Sequence, residues 1–348
     1  MSTAAVLVSK SDSLWREFFH QQAPLIALIL AAGYVAAFLQ HGFVPGADVA
    51  YPLAGVRVAV WQIVWMGMWT GYAMALVGQA AGILALPYST SVLQFSNPHV
   101  SSSTLVLTLL NPLGALLGFR RTGQWNPRLA AWLCAGGALG GLLGPFARAT
   151  LLSDAAAFRL LLGCALGFVG AQLCLKALGK TRAVRAPGSD SLQVRTLSVA
   201  GARLTIGYLD QQWTVNQGVL FVVGAAVGVL SSALGLGGAF LIVPFLVMFY
   251  RLPMHVVPAA TLPYAIVLSA VGLATYCVVL PLVGRPAIQP EWAWGFFAAA
   301  GGILGSWAAA KTQRYISEAV LDAMLGALTA AAALVYVVSF FVKLPFSV

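Results

Sequence analysis

The stretch SSALGLGGAFLIVP, from Ser231 to Pro244, decides how this chain is read. It is apolar enough for a membrane interior, yet three glycines and a proline interrupt it. Glycine leaves the backbone free to depart from a helix, and proline removes a backbone donor. An unbroken spanning helix has no need of both. A broken helix, whose backbone lines a cavity or a ligand, does. The same punctuation stands earlier in the chain, where Gly78-Gln-Ala-Ala-Gly82 leads to Pro87. Thr104 follows Pro87 by 17 residues, as Thr261 follows Pro244. Pro98-His99-Val100 answers Pro253 and His255-Val256, with the His-Val pair slipped by one residue. Gly140-Gly-Leu-Leu-Gly144 matches Gly301-Gly-Ile-Leu-Gly305. Several matches in the same order point to internal duplication, the usual construction of secondary transporters.

Composition points the same way. Of 348 residues, 19 are Lys or Arg and 9 are Asp or Glu, so 8% are charged, against 60% hydrophobic. A soluble domain carries roughly 25% charge. Mean hydropathy is +0.88. Most soluble enzymes and nucleic-acid-binding domains are thereby excluded. The net charge of +10 is a topology signal, because the basic residues lie between apolar runs; no nucleic-acid partner is expected. Runs such as Leu25–Leu39, Leu129–Phe146 and Ala319–Val342 are too long and too uniformly apolar for barrel strands. In lipid they satisfy their backbone only as helices.

The fold class expected is an all-α polytopic membrane protein with two repeats. Nine full spans are drawn at 24–39, 58–77, 100–118, 129–147, 157–178, 217–235, 256–280, 291–310 and 319–342. Two broken segments are drawn at 80–96 and 237–250. The organisation is an extra N-terminal helix and loop (1–57), repeat one (58–178), a basic cytoplasmic loop (179–216) and repeat two (217–348). Within the loop, Gln193–Tyr208 alternates around Ala200-Gly201 and reads as a β-hairpin, with a disordered basic linker as the competing reading. The apolar run from Pro24 reads as a membrane helix rather than a cleaved signal. Cys134, Cys164, Cys174 and Cys277 lie in apolar runs without metal-ligand spacing.

Charge placement bears on topology. If both broken segments cross and the N-terminus is cytoplasmic, 14 of the 19 basic residues fall inside; if they re-enter, the better orientation places 12 there. The positive-inside rule thus leans toward crossing. Each repeat then has five segments, and an odd count makes the repeats inverted. Re-entry would make them parallel.

The second repeat, Ser231 to Pro244 with Leu252-Pro-Met-His-Val256, Ala259-Ala-Thr261 and Gly301–Gly305 followed by Lys311 and Arg314, resembles the sulfite exporter TauE/SafE family. The likeness covers about residues 60–340, and the helix at 24–39 looks like an addition. The first repeat departs from the pattern with fewer glycines, so two inequivalent half-sites are expected. The resemblance implies movement of sulfite, organosulfonates or related sulfur oxyanions across the inner (plasma) membrane. It does not carry over the exact substrate.

The residues themselves narrow the mechanism. All nine acids lie in expected loops or at span ends, so no carboxylate stands ready for a proton relay in mid-membrane. No Lys or Arg is expected there either. A Walker A loop, a His/Cys cluster and a nucleophile–base–acid set are all missing from the sequence. No enzyme activity, metal or cofactor is expected. An anion would then be held by uncharged groups, chiefly the N–H groups at helix N-termini. The candidate binding residues are Gly78, Gln79, Gly82 and Pro87 of the first broken segment and Thr104 and Asn111 beyond it. Ser231, Ser232, Gly235, Gly237, Gly238 and Pro244 are their counterparts in the second, followed by Thr261. Each has a plainer reading: glycines that pack helices, prolines that kink them, hydroxyls bonded to their own backbone. The function expected is secondary transport, as an exporter, of a small inorganic or organic sulfur anion bound between two broken helices. An uncoupled anion channel and a membrane-embedded enzyme or assembly factor are the alternatives. The lipid bilayer is the other expected partner, and the sequence carries no signal of oligomeric state.

Overall fold

The computed structural model describes residues 18–313, apart from 43–48, 77, 96–97, 122–125, 153, 179–193, 209–210 and 254–255, together with scattered positions from 316 to 337. Helix α1 (Ala23–His41) follows a π-helical turn at Phe18–Gln22 and ends at Gly42, whose φ of 75° suits glycine. A short hairpin of β1 (Val49–Tyr51) and β2 (Val56–Val58) comes next. Then follow α2 (Val60–Ala75), α3 (Gly82–Ser91), α4 (His99–Leu110), α5 (Pro112–Arg121), α6 (Pro127–Thr150) and α7 (Ala155–Leu178). An antiparallel sheet of β3 (Val194–Ala200), β4 (Arg203–Tyr208) and β5 (Gln211–Asn216) precedes α8 (Gln217–Leu234), α9 (Ala239–Met248) and α10 (Pro258–Ala274). Helix α10 continues through a π-helical stretch to Leu282, and α11 (Trp292–Thr312) completes the described set.

Among the described residues, five stretches are long and apolar enough to cross a membrane: Phe18–His41, Pro127–Thr150, Gln217–Leu234, Ala260–Leu282 and Trp292–Thr312. Their outward faces carry Leu28, Phe38, Leu142, Leu143 and Val222, all exposed. That is the surface a bilayer requires and water penalises. Trp61 and Trp65 also face outward from α2, as interfacial tryptophans do.

Several expectations change. The span drawn over 100–118 is two helices, because Pro112 has no N–H to continue the ladder beyond Asn111. The basic loop holds a three-stranded sheet, since Gln211–Asn216 adds a strand beyond the turn at Gly201. The stretch after α1, expected as loop, contains the β1–β2 hairpin. Residues 179–193, His255 and most of the span drawn at 319–342 lie outside the described residues.

Helices α3 and α9 are matched. Each has ten residues with its proline sixth, Pro87 and Pro244. Ten helical residues rise about 15 Å, half a hydrocarbon core. Helix α3 folds back along α2, with Ser89 Oγ 3.3 Å from Met66 Sδ and the Tyr88 ring on Trp69.

Glycine-lined contacts fix the helix directions. On α2 and α11, Gly67 lies against Ala298 and Gly71 against Gly302, so the two run parallel. On α6 and α8, Gly136 lies against Gly224 and Gly140 against Gly228, again parallel. Helix α10 follows α6, with Tyr264 on Gly137 and Leu268 on Gly141. Helix α4 follows α11, with Val106 on Gly295 and Asn111 on Gly302. Helices α4 and α10 oppose each other: Thr108 meets Ser269 and Leu105 meets Gly272. Thus α2, α4 and α11 point one way, and α6, α8 and α10 the other. The ends sort accordingly. On one face, His99 Nδ1 lies 2.6 Å from Gln289 O, near the β1–β2 hairpin. On the other, Asn126 Nδ2 donates to Thr196 Oγ1 (3.1 Å) and Asn216 N–H donates to Tyr250 Oη (3.1 Å), beside the three-stranded sheet.

Candidate functional site

The first break follows α2. Gly78 turns the chain with φ 70°, and its carbonyl accepts from Thr261 Oγ1 at 2.7 Å. Gln79 N–H returns to Met74 O (2.9 Å), and α3 starts at Gly82. The second break follows α8. The N–H groups of Gly235 and Leu236 both donate to Ser231 O (2.8 and 2.9 Å), which caps the helix. Gly235, Gly237 and Gly238 have φ of 82°, 79° and 84°. Three left-handed residues in four positions explain why this stretch is glycine.

The two breaks touch. A Cβ added at Gly82 would stand 2.7 Å from Leu236 O and 2.8 Å from Thr108 Cγ2. One at Gly237 would stand 2.7 Å from Thr108 and 2.9 Å from the Ala80 Cβ. One at Gly235 would stand 2.5 Å from Ser101 O and 2.7 Å from Thr104 Oγ1, and one at Gly238 would meet the Tyr264 ring at 2.5 Å. The breaks therefore sit between α4 and α10, which Thr108 Oγ1 and Ser269 Oγ tie together at 2.8 Å. The N-termini of α3 and α9 start there, so the positive ends of two helix dipoles converge on one place.

The first break and helices α4 and α8 carry polar groups without partners. Both amide atoms of Gln79, both side-chain heteroatoms of Asn111, and the hydroxyls of Ser101 and Ser231 are buried and unbonded. All four residues are at most 1% exposed. An unsatisfied buried polar group costs roughly 1–3 kcal/mol, so its retention calls for an explanation such as a ligand or an ordered water.

Other candidates are spent elsewhere. Ser232 Oγ donates to Gly140 O (3.0 Å) and so joins α8 to α6. Thr104 Oγ1 returns to Val100 O (2.6 Å) within its own helix. The Thr261 hydroxyl holds the Gly78 carbonyl. Pro87 and Pro244 are buried in mid-helix, five residues beyond Gly82 and Ala239. Arg148, just beyond the span drawn at 129–147, is 4% exposed near the end of α6. Its guanidinium donates to Leu152 O and covers the Phe158 ring at 4.1 Å to the centroid. Among the described residues the buried charged side chains are Arg148 and Glu291.

Thr108 and Tyr264 were not singled out from the sequence. Tyr264 packs on Gly238 and Gly137 and donates to Gly224 O at 2.8 Å. Its position in the other half is Leu107, so the repeat carries no signal for it. A signal did exist for the packing glycines. The spacing of 157 that relates Gly78 to Gly235, Pro87 to Pro244 and Thr104 to Thr261 also relates Gly67 to Gly224 and Gly71 to Gly228.

A family model described as "Sulfite exporter TauE/SafE" matches residues 63–336. Two proteins of Xylella fastidiosa are similar, both named "Probable membrane transporter protein". The one from strain 9a5c is 27% identical over 186 residues, covering 53% of this chain and 60% of its own length. The one from strain Temecula1 is 29% identical over 187 residues, with the same shares. The chain thus spans about three-fifths of the length of the curated relatives it matches. No solved structure gives a significant match.

Proposed function

The chain belongs to the sulfite exporter TauE/SafE family of membrane transporters, and on that premise we propose that it is a secondary transporter of sulfite, organosulfonates or related sulfur oxyanions, working as an exporter. The observation that carries this reading is the meeting of two glycine breaks, Gly82 against Leu236 and Gly237 against Ala80. Two helix N-termini and the unbonded amide of Gln79 stand at that meeting, and Asn111, three residues beyond Thr108 on α4, carries a second unbonded amide. Amide and backbone N–H groups suit the oxygens of a sulfonate or sulfite. A neutral donor set also leaves the anion free to depart, as a transport cycle requires.

The same reading takes 58–178 and 217–348 as inverted repeats. Its support is the opposed direction of α2 and α8, of α4 and α10, and of α6 and α11. With the spans drawn from the sequence, re-entrant segments would part His99 from Gln289 and Asn216 from Tyr250; crossing segments bring each pair to one face. The basic residues Arg128, Arg195, Arg203 and Arg251 gather on the sheet face, which the positive-inside rule assigns to the cytoplasm.

Purified protein in liposomes is expected to exchange labelled sulfite, thiosulfate or sulfoacetate against an internal pool. Absence of exchange with all three would reopen the enzyme or assembly-factor reading. Flux without saturation or counterflow would favour a channel. Gln79→Leu and Asn111→Leu provide a sharper test. Each removes a buried group that has no partner, so thermal stability is expected to hold or rise by about 1 kcal/mol. Exchange is expected to fall at least about tenfold, the loss of one hydrogen bond to a charged group. Unchanged exchange in both variants would remove these amides from the site.

A further inference from the structure

A second polar cluster lies away from the breaks, on the face that carries the β1–β2 hairpin. Glu291 precedes α11 and is completely buried. His41 Nε2, at the end of α1, lies 2.6 Å from Glu291 Oε1, and Leu53 N–H donates to Oε2 at 3.1 Å. The Glu291 N–H donates to Ser103 Oγ (2.8 Å), which in turn donates to His99 O (2.7 Å). Gln40 brackets the same turn, donating to Pro290 O (2.9 Å) and accepting from Trp292 N–H (3.1 Å). One residue at the start of α11 thus joins α1, the hairpin and α4: its carboxylate holds His41 and Leu53, and its backbone N–H reaches Ser103.

Packing alone does not require this. Apolar contacts would join the same elements without the cost of burying charge. Two buried donors have no partner, Tyr51 Oη on the hairpin and Trp294 Nε1 on α11, with ring centroids 5.5 Å apart. Tyr51 is within electrostatic reach of Glu291, and burial, then that carboxylate, push its phenol up, so it remains a neutral donor. The carboxylate therefore holds two donors, His41 and Leu53, and the unbonded phenol of Tyr51 stands within its electrostatic reach. A proton on the carboxylate weakens the bonds it accepts, so its hold on α1 and the hairpin has a protonated and a deprotonated state.

We propose that Glu291 and His41 form a proton-binding site, and that the proton held there is the ion to which anion movement is coupled. This inference rests on the transport reading. A proton from the hairpin face adds to the Glu291 carboxylate as an O–H and cancels its charge, which loosens the hold on His41 and Leu53. The site is linked to the breaks through two helices. Ser103 precedes Thr104, whose Oγ1 is 2.7 Å from where a Cβ on Gly235 would stand. Helix α11 carries Gly302, which lies against Asn111. The titratable groups on the surrounding elements are His41 and Tyr34 of α1, Tyr51 and Arg57 of the hairpin, and His99 of α4. From the sequence no proton relay is expected because Glu291 stands at the very end of the span 291–310; its burial comes from the added helix and the hairpin closing over it.

The test uses the full chain in liposomes with the membrane potential clamped. Counterflow and pH-gradient-driven accumulation are measured for sulfite, thiosulfate and sulfoacetate. Wild type is expected to show counterflow and an accumulation ratio that changes about tenfold per pH unit, the value for one coupled proton. Glu291→Gln and His41→Gln are expected to keep counterflow and lose the response to the gradient. Wild-type counterflow without a gradient response would overturn the coupling proposal and leave the transport reading intact. Wild type with no counterflow of any of the three would overturn the transport reading instead. If Glu291→Gln fails to fold, His41→Gln decides, since it keeps the Leu53 and Ser103 bonds. A variant that folds and retains the gradient response, or one that loses counterflow as well, overturns the proposal.

Discussion

Gly237→Val and Gly238→Val are expected to abolish anion exchange while the protein still inserts, folds and melts near the wild-type temperature. Two costs meet at these positions. Their φ values of 79° and 84° lie where a β-branched residue is strained by about 1–3 kcal/mol. The added side chain would also enter the meeting point of the breaks, since even the first carbon at Gly237 stands 2.7 Å from Thr108 and that at Gly238 stands 2.5 Å from the Tyr264 ring. The break joins two helices that are packed over most of their length, so the strain is expected to shift the loop rather than unfold the chain. Shifting the loop turns the α9 N-terminus away from the first break at Gln79 and Ala80. Flux in liposomes falling below detection, with a monodisperse purified protein, is the expected result. Exchange within about twofold of wild type in both variants would show that the break is a hinge of packing and holds no anion.

The sequence made the breaks legible because glycine and proline act through the backbone, and backbone constraints are written locally. The 17-residue spacing from Pro87 to Thr104 and from Pro244 to Thr261 already placed the two segments in register. Which side chains face the meeting point was not legible in the same way. Ser232 and Ser231 are neighbours in an apolar run, yet one hydroxyl is bonded to Gly140 O and the other to nothing. That difference depends on which face of α8 meets α6. Thr108 is not legible because Ala265 stands 157 residues beyond it, so the spacing that pairs Thr104 with Thr261 hides it. The burial of Glu291 and of Arg148 is not legible in the sequence, for one common reason. Both stand at the ends of apolar runs, where sequence implies solvent, and both are covered by elements far away in the chain: α1 and the hairpin over Glu291, the start of α7 over Arg148. Burial at a span end is a tertiary property, and hydropathy along the chain cannot register it.

The glycines of α6 and α11 look like those of the breaks in the sequence, and the opposite outcome is expected from changing them. Gly140→Leu and Gly301→Leu should prevent folding and leave no protein on which flux can be measured. Gly140 lies in mid-helix, and a Cβ there would stand 2.5 Å from the Gly228 Cα and 2.6 Å from its carbonyl carbon. A Cβ on Gly301 would strike Val64 O. In both cases the obstacle is the backbone of a parallel helix, which cannot swing aside as a side chain can. Overpacking of this kind costs typically 1–3 kcal/mol for added methylenes that a core can partly absorb; here two long contacts, α6 on α8 and α2 on α11, must separate along their whole glycine seam. Membranes offer no hydrophobic drive to restore such a contact once it opens, because lipid tails are as apolar as the helices. Aggregation on size-exclusion chromatography and loss of a cooperative melt are the expected signs. Gly140→Ala and Gly301→Ala should fall between, with a lowered melting temperature and residual exchange in the fraction that folds. If Gly140→Leu instead purifies as a monodisperse protein with a wild-type melt and no flux, its glycine seam belongs to the anion pathway, and the division between packing and binding glycines drawn from the contacts is wrong.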